Sequence, residues 1–376
     1  MDFNLTEEQQ LIQKIARDYG KEQLEPLAAE IDRTGRFPAE AIKAMGELDF
    51  MGMFFPVEHS GAGADFLSYI IMVEELSRAC ASTGAILATH CSLAACPIFR
   101  WGNEEQKKKY LPEMCLGVKL GGFAPGAVPA SGPDKVVASL DGDSYVLNGK
   151  KCYVANGGVA DVYIVFALTD ANAGINGLSA FIIDAGSPGI TISKQIEKMG
   201  LRGLQTAEIV FENVQIPEGN LLGTKNQGNE IYLSILANNG VAAAAQVVGI
   251  AQTALETAVK YAKERVQFGR PIAKLQAIQW MLADMAMNIH LTRLATYRVA
   301  SLIDEGKPHC QEAAMVRVFA AKAGLEVCTN ALQIHGGYGY GKDMILERLL
   351  RDVKGTIIFD SSYEYPQKFI AGNLLR

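Results

Sequence analysis

The sequence predicts an α+β fold of several domains, helical at both ends with a β unit between them. Three observations carry this. Apolar residues recur at helical spacing over the first third of the 376 residues, alternate with period two from about position 120, and return to helical spacing after GTKNQGNE (223–230). Strands and helices do not alternate along the chain, which excludes a simple doubly wound sheet. The chain is also too long for one ordinary core. These shifts divide it into an N-terminal helical domain (1–119), a middle β domain (120–226) and a C-terminal helical bundle (227–376).

The elements follow in order. Thr6 and Gln9 form a capping box ahead of Leu11, Ile12, Ile15, Ala16 and Tyr19, the apolar face of a first helix. Helices are expected around 40–48, 65–80 and 83–100, broken by PVEHSGAGAD, and NEEQKKKYLPEM (103–114) opens on an asparagine cap. SYVLNGKKCYV (144–154) reads as two strand runs around Asn148-Gly149, a type I′ hairpin signal. VYIVFAL (162–168), LSAFIID (178–184) and AEIVFENVQI (207–216) are further strands, so the middle third is a small antiparallel unit. Segments near 229–264, 272–306, 311–334 and 344–356 then read as a four-helix bundle, with a last helix from about 362.

Composition narrows the function. Hydrophobic residues make up 49% and charged residues 20%, the profile of a folded chain. A net charge of −6 argues against nucleic acid as the main partner. Seven scattered cysteines with no CxxC pair read as reduced thiols in the cytoplasm, not as a disulfide frame or a metal site. Met1 to Thr6 leads straight into a charged amphipathic helix, so no signal peptide is expected. The apolar run GVAAAAQVVGIAQTAL (240–255) is interrupted by Gln246 and Gln252 and reads as a buried helix, with no membrane insertion. No glycine-rich Rossmann fingerprint follows a strand, so any dinucleotide must be held in another way.

Seven landmarks run through the whole chain: MDFNLTEEQQ, RWGNEEQKKKYLP, YVLNGKKCYVANGG, KMGLRGLQTAEIVFENVQIP, RVQFGRPI, QIHGGYGYGKD and RDVKGTIIFDSSYE. In content and order they resemble the FAD-dependent acyl-CoA dehydrogenases. The resemblance implies a helical domain, a β-barrel-like domain and a four-helix bundle, with FAD between the last two and shared between subunits of a homotetramer, a dimer of dimers. It implies that Arg265, Gln267 and Phe268 reach the pyrophosphate and adenine half of FAD, and that Gln333, Gly336 and Gly337 form the adenine-side turn. Guanidinium forks suit phosphate and glycines allow close backbone approach. Alternatively, Arg265 only faces the last carbonyls of its helix and the glycines form a C-cap. Ala155 and Ser362 are matched to positions beside the flavin, and Cys91, Gly240 and Tyr363 to the substrate pocket. An acyl-CoA thioester is the implied substrate, with electron-transferring flavoprotein as a redox partner.

This chain departs from the resemblance around the reacting centre. The catalytic glutamate of the family corresponds to Asp360, one methylene shorter and so about 1.5 Å shorter in reach. A general base must come within hydrogen-bond distance of the proton it removes. Asp360 has a structural alternative, because FDSSYE can place Ser361 and Glu364 in a second capping box. GGFAPGAVPASGPD (121–134) puts Gly126 or a neighbour where a threonine is expected, and Ala155 replaces a second threonine. Ala237 and Gly240 stand where an acidic residue and an arginine are usual. His90, on the helix matched to the pocket wall, is the alternative base. The expected reaction is α,β-dehydrogenation, or enoyl-CoA reduction in reverse, of a branched, alicyclic or conjugated acyl group. The alternatives are a dehydratase or lyase without net redox chemistry and a catalytically silent relative.

Overall fold

A computed structural model describes residues 4–125, 134–358 and 364–375. Helix α1 (Glu7–Tyr19) starts at the capping box: Gln9 N–H donates to Thr6 Oγ1 at 3.2 Å and Thr6 N–H to Gln9 Oε1 at 3.0 Å. A π-helical turn leads into α2 (Glu25–Thr34), which Gly35 ends in the left-handed conformation. Helices α3 (Ala39–Glu47), α4 (Phe66–Ala79), α5 (Ala81–Ala88), α6 (Cys96–Trp101) and α7 (Glu104–Cys115) complete the first unit. Between α5 and α6 the chain winds as a π-helix over Thr89–Ala95, a form found mostly as short bulges and often at functional sites.

Eight strands form one sheet: β1 (Gly121–Ala124), β2 (Val136–Asp141), β3 (Ser144–Ala155), β4 (Val162–Leu168), β5 (Leu178–Asp184), β6 (Ile190–Gln195), β7 (Thr206–Pro217) and β8 (Leu221–Leu222). Their order is β6-β7-β3-β1-β4-β5-β8, with β2 against β3 and β4. Pairing is antiparallel except that β1 and β2 each run parallel to β4. Strand β4 is buried on both faces, Val162, Ile164 and Phe166 packing toward the helices and Tyr163, Val165 and Ala167 into a second apolar cluster.

One expectation is overturned here. Asn148-Gly149 is not a hairpin turn but a bulge inside the twelve-residue β3, whose register with β7 shifts between Leu147 and Gly149. The asparagine is used across the sheet: its Oδ1 accepts from Asn213 N–H at 2.8 Å and its Nδ2 donates to Asn213 Oδ1 at 3.2 Å. Gly149 is required because a Cβ would lie 2.0 Å from the Lys135 carbonyl oxygen. The hairpin turns one strand earlier, at Gly142, between the paired Asp141 and Ser144.

The last third is built on α8 (Gly228–Glu264), 37 residues long and packed against α4, α5 and the bundle. After it come β9 (Val266–Gln267), β10 (Arg270–Pro271), α9 (Gln276–Asp304), α10 (Cys310–His335), α11 (Gly337–Tyr340), α12 (Leu346–Ile358) and α13 (Glu364–Leu374). The helix expected from 272 starts four residues later, because the β9–β10 hairpin and a short 3-10 turn occupy the approach. Among the described residues, two helical stretches are long and apolar enough to cross a membrane, Ala81–Trp101 and Gly228–Glu264, yet their apolar windows are 94% and 78% buried in the fold.

Candidate active site

One end of the bundle gathers the segments around positions 265 and 336. Strands β9 and β10 pair Gln267 with Arg270 across a two-residue turn in which Phe268 (φ 52°) and Gly269 (φ 72°) are both left-handed, as a type I′ turn demands. Left-handed backbone at a bulky residue costs about 1–3 kcal/mol and collects at ligand clamps. Here it turns the Phe268 side chain outward, 88% exposed. Arg265 ends α8, with its N–H on the Tyr261 carbonyl at 2.8 Å. Its guanidinium lies over the ring of Tyr338, 5.6 Å from the centroid, which brings the hairpin to the α10–α11 turn. Tyr261 and His335 stack behind it with centroids 4.0 Å apart. Gln333 is exposed in the last turn of α10, and Gly336 (φ 58°, ψ −137°) holds a conformation open only to glycine. A Cβ at Gly336 or Gly337 would meet nothing within 4 Å, so a bound molecule could lie directly on this backbone. An exposed guanidinium, an outward aromatic and bare glycine backbone suit the phosphate and adenine of FAD.

The segment leading to Asp360 is held from three sides. On α12, Arg351 donates bidentately to Asp32 of α2 at 2.8 and 2.6 Å, to Glu347, and to the Met199 carbonyl at 2.9 Å. Its neighbour Asp352 is buried and accepts from Leu201 N–H at 2.6 Å. Burial raises the Asp352 carboxyl to about 6. One turn on, the buried Arg317 of α10 donates through Nη2 to the Thr356 carbonyl, an orphan acceptor near the end of α12. Asp360, Ser361, Ser362 and Tyr363 lie outside the described residues, as do Gly126 and the side chain of Glu364.

His90 sits in the π-helical segment, fully buried. Gly121 N–H donates to its Nδ1 at 2.9 Å, so the proton is on Nε2, which donates to the Met114 carbonyl at 3.1 Å. Burial drives its pKa down to about 4. Both nitrogens are engaged by backbone, and the ring in this pose offers no lone pair to a substrate. Cys91 is equally buried, its thiol on the Met51 carbonyl at 3.3 Å and pushed well above its ordinary pKa. That is an inert thiol. Ala155 is buried at the end of β3, opposite Phe123 of β1 and Thr206 of β7. The next residue, Asn156, donates from Nδ2 to the Gly121 carbonyl at 2.8 Å. Gly121 thus ties His90 of the helical domain to the strand end carrying Ala155.

Two cavities border α12 and α13. The larger, about 340 Å³, lies among α6, α8, α10 and α13 and is mostly apolar, bordered by Trp101, Leu233, Ala237, Ala313, Arg317 and Phe369. Gly240 stands beside it: a Cβ there would come 3.6 Å from Arg317 Cβ, ordinary contact. The smaller, about 20 Å³, lies among α5, the π segment, α8 and α12 and includes Thr89, Asn239, Gln246 and Thr356 in its wall. Sequence reasoning passed over Thr89 and treated Gln246 only as an interruption of an apolar run. The available signal was an amide in the middle of an alanine-rich helix, where a buried polar group needs a reason.

A helical–β–helical chain with an exposed arginine, an outward aromatic and bare glycine backbone at one end of its bundle fits the class of flavin-dependent oxidoreductases. Models of the acyl-CoA dehydrogenase N-terminal, middle and C-terminal domains match residues 6–118, 127–214 and 226–375. The chain belongs to the acyl-CoA dehydrogenase family. It is 44% identical, over 100% of both chains, to the short-chain specific acyl-CoA dehydrogenase of Clostridium acetobutylicum. The solved butyryl-CoA dehydrogenase of Megasphaera elsdenii superposes with a TM-score of 0.97 at 41% identity, covering 100% of each chain. A chain from a structure described as the electron transferring flavoprotein of Acidaminococcus fermentans superposes equally well, at 44% identity and 100% coverage of each. FAD is the cofactor and the protein is an acyl-CoA dehydrogenase or reductase.

Proposed function

We propose that this protein dehydrogenates, or in reverse reduces, a short acyl-CoA that is not a plain straight chain, with Asp360 as the base. The observation that carries this is a pair of cavities, one bordered by α12 and the other by α13, the helices before and after Asp360 in sequence. The 340 Å³ cavity touches Pro366 and Phe369 after Asp360, and the 20 Å³ cavity touches Thr356 before it. The larger suits a pantetheine arm, with Gly240 and Ala237 leaving room beside Arg317; the smaller suits the end of a short acyl group. We infer from the match of Asp360 to the family's catalytic glutamate that it meets the α-carbon of such a thioester.

In that reading Asp360 removes the α-proton, and the Arg317 contact to the Thr356 carbonyl fixes the end of the helix that precedes it in sequence. Bound FAD supplies the acceptor for the β-hydrogen and its electron pair. Arg265, Gln267, Phe268, Gln333, Gly336 and Gly337 would hold its phosphate and adenine half, and Ala155 and Ser362 would face the flavin. Cys91 would shape the pocket through backbone contact, and Tyr363 would line it. A base shortened by about 1.5 Å needs a substrate that sits closer to it, and the loss of threonine hydroxyls at Gly126 and Ala155 alters the flavin surroundings.

A homotetramer built as a dimer of dimers, electron transfer to an electron-transferring flavoprotein, and a cytoplasmic location complete the reading. The exposed face of α9, with Trp280, Met287, Leu291 and Leu294 on one side, supports assembly. All seven cysteines are free thiols. The test is anaerobic mixing of the holoprotein with short acyl-CoA thioesters. Bleaching of the oxidised flavin absorbance is the expected result. Product formed while the flavin stays oxidised and no acceptor is present would replace this reading with non-redox elimination.

A further inference from the structure

The loop 196–205 between β6 and β7 starts and ends at one place in the sheet, where Ile196 N–H donates to the Thr206 carbonyl at 2.8 Å. Thr206 is itself paired with Ala155 at the end of β3. Between those ends the loop meets α12. Leu201 there is buried and left-handed, with φ 49°. That backbone is strained for a bulky side chain and persists only where its surroundings impose it. Contacts with α12 impose it here. Leu201 N–H donates to Asp352 Oδ1 at 2.6 Å, and Arg351 Nη1 donates to the Met199 carbonyl at 2.9 Å. Two glycines let the loop and the helix come this close. A Cβ at Gly200 would lie 2.2 Å from the Arg351 carbonyl oxygen, and one at Gly355 would lie 2.9 Å from Leu201 Cδ1. Asp352 is only 4% exposed, so its bond to Leu201 is made away from water, where losing the acceptor would orphan a buried N–H.

We propose that Leu201 and Asp352 are positioning residues for the flavin reaction: their joint fixes α12, the helix that precedes Asp360, against the sheet edge that carries Ala155. Neither residue is asked to touch a reacting atom. The inference rests on the acyl-CoA reading, in which Ala155 faces the flavin and Asp360 is the base. The joint is the shortest path between those two groups that the chain itself provides, because Thr206 lies beside Ala155 and Asp352 lies on the helix leading to Asp360. A strained residue held by one buried acceptor suits this task, since it has a single arrangement and little slack. Displacement of a base by about 1 Å costs on the order of a hundredfold in rate, so a joint that gives by part of that distance is felt in turnover.

The test uses the holoprotein with butyryl-CoA and isobutyryl-CoA, and reads kcat and KM from anaerobic flavin bleaching and the exchange rate of the Leu201 amide in heavy water. Asp352→Leu removes the acceptor, Asp352→Asn keeps one, and Gly355→Ala wedges the joint open with a residue that favours the helix. Asp352→Leu should lower kcat at least tenfold and Gly355→Ala at least fivefold, with KM within threefold of native and flavin content full. Asp352→Asn should recover most of the rate. The Leu201 amide should exchange at least tenfold faster in Asp352→Leu and close to the native rate in Asp352→Asn. Native kcat in Gly355→Ala overturns the proposal, as does a loss that Asp352→Asn shares in full. A change carried by KM instead of kcat overturns it too, by making Leu201 part of the wall that fits the substrate. If neither thioester bleaches the native flavin, it is the acyl-CoA reading that fails, and the exchange rates still decide whether Asp352 holds the loop.

Discussion

At the scale of single residues, two ionisable side chains have distinct expectations. Asp360→Asn should keep its full complement of flavin and lose roughly a hundredfold to ten-thousandfold in turnover, the usual contribution of a general base. Near-normal turnover would remove Asp360 from the reaction. Asp360→Glu should gain activity on butyryl-CoA if the shortened side chain sets specificity. His90 makes a pH prediction. Its folded pKa of about 4 lies below the ordinary 6.5, so the unfolded chain binds the extra proton between those values. Its contribution to stability is complete above pH 6.5 and is lost as pH falls toward 4, by about 3 kcal/mol. The difference in unfolding free energy between native protein and His90→Gln should therefore change with pH across that window. A constant difference would refute the buried neutral ring. Arg265, Gly336 and Gly337 could be proposed from sequence because local motifs carry them. The nearness of Thr89 and Gln246 could not be, because the cavity they border is formed by segments more than 150 positions apart.

Elements were read well where periodicity and capping agree, and poorly where one local signal has two uses. Thr6 with Gln9 and Asn103 with Gln106 both form the capping boxes that their spacing allows. Asn148-Gly149 has the chemistry of a tight turn, yet glycine also serves where another strand's carbonyl approaches closely, and β3 continues through it. Only the pairing with β2 and β7 decides between the two. The hairpin of β9 and β10 was hidden for the opposite reason, since a phenylalanine occupies a position where asparagine would signal the turn. Helix α12 yields the prediction at this scale. Arg351 joins it to α2 and to the segment before β7, and its side chain is only 19% exposed. Arg351→Met should cost about 2 kcal/mol in urea unfolding, in line with lost charge-assisted bonds. It should also lower kcat about tenfold on the substrate that bleaches the flavin, because the helix that precedes Asp360 in sequence loses two of its anchors. Unchanged kcat would separate the base from the positioning of α12.

For the whole molecule, the order of helical, β and helical regions was legible because each region spans many turns or strands of consistent period. How those regions meet was not, since it depends on single contacts between distant residues. The clamp at the end of α8 illustrates this: Arg265 and Tyr338 lie over seventy positions apart and meet at 5.6 Å. Arg265→Ala should release FAD, with at least tenfold weaker retention measured by the flavin-to-protein absorbance ratio after gel filtration. Full retention in that variant would assign Arg265 to the helix terminus alone.

The hydrogen bonds that meet at Gly121 have a consequence for internal motion. This one glycine donates to a helix-borne imidazole and accepts from an asparagine at the end of β3. The pocket wall and the sheet edge are therefore riveted at a point, and neither can swing without breaking a bond enclosed from water. In heavy water the amide proton of Gly121 should exchange with the slow pace of the helical core, orders of magnitude behind the exposed strand β6. A breathing motion that admits substrate would then have to hinge elsewhere, on the side where α6, α8 and α13 enclose the larger cavity.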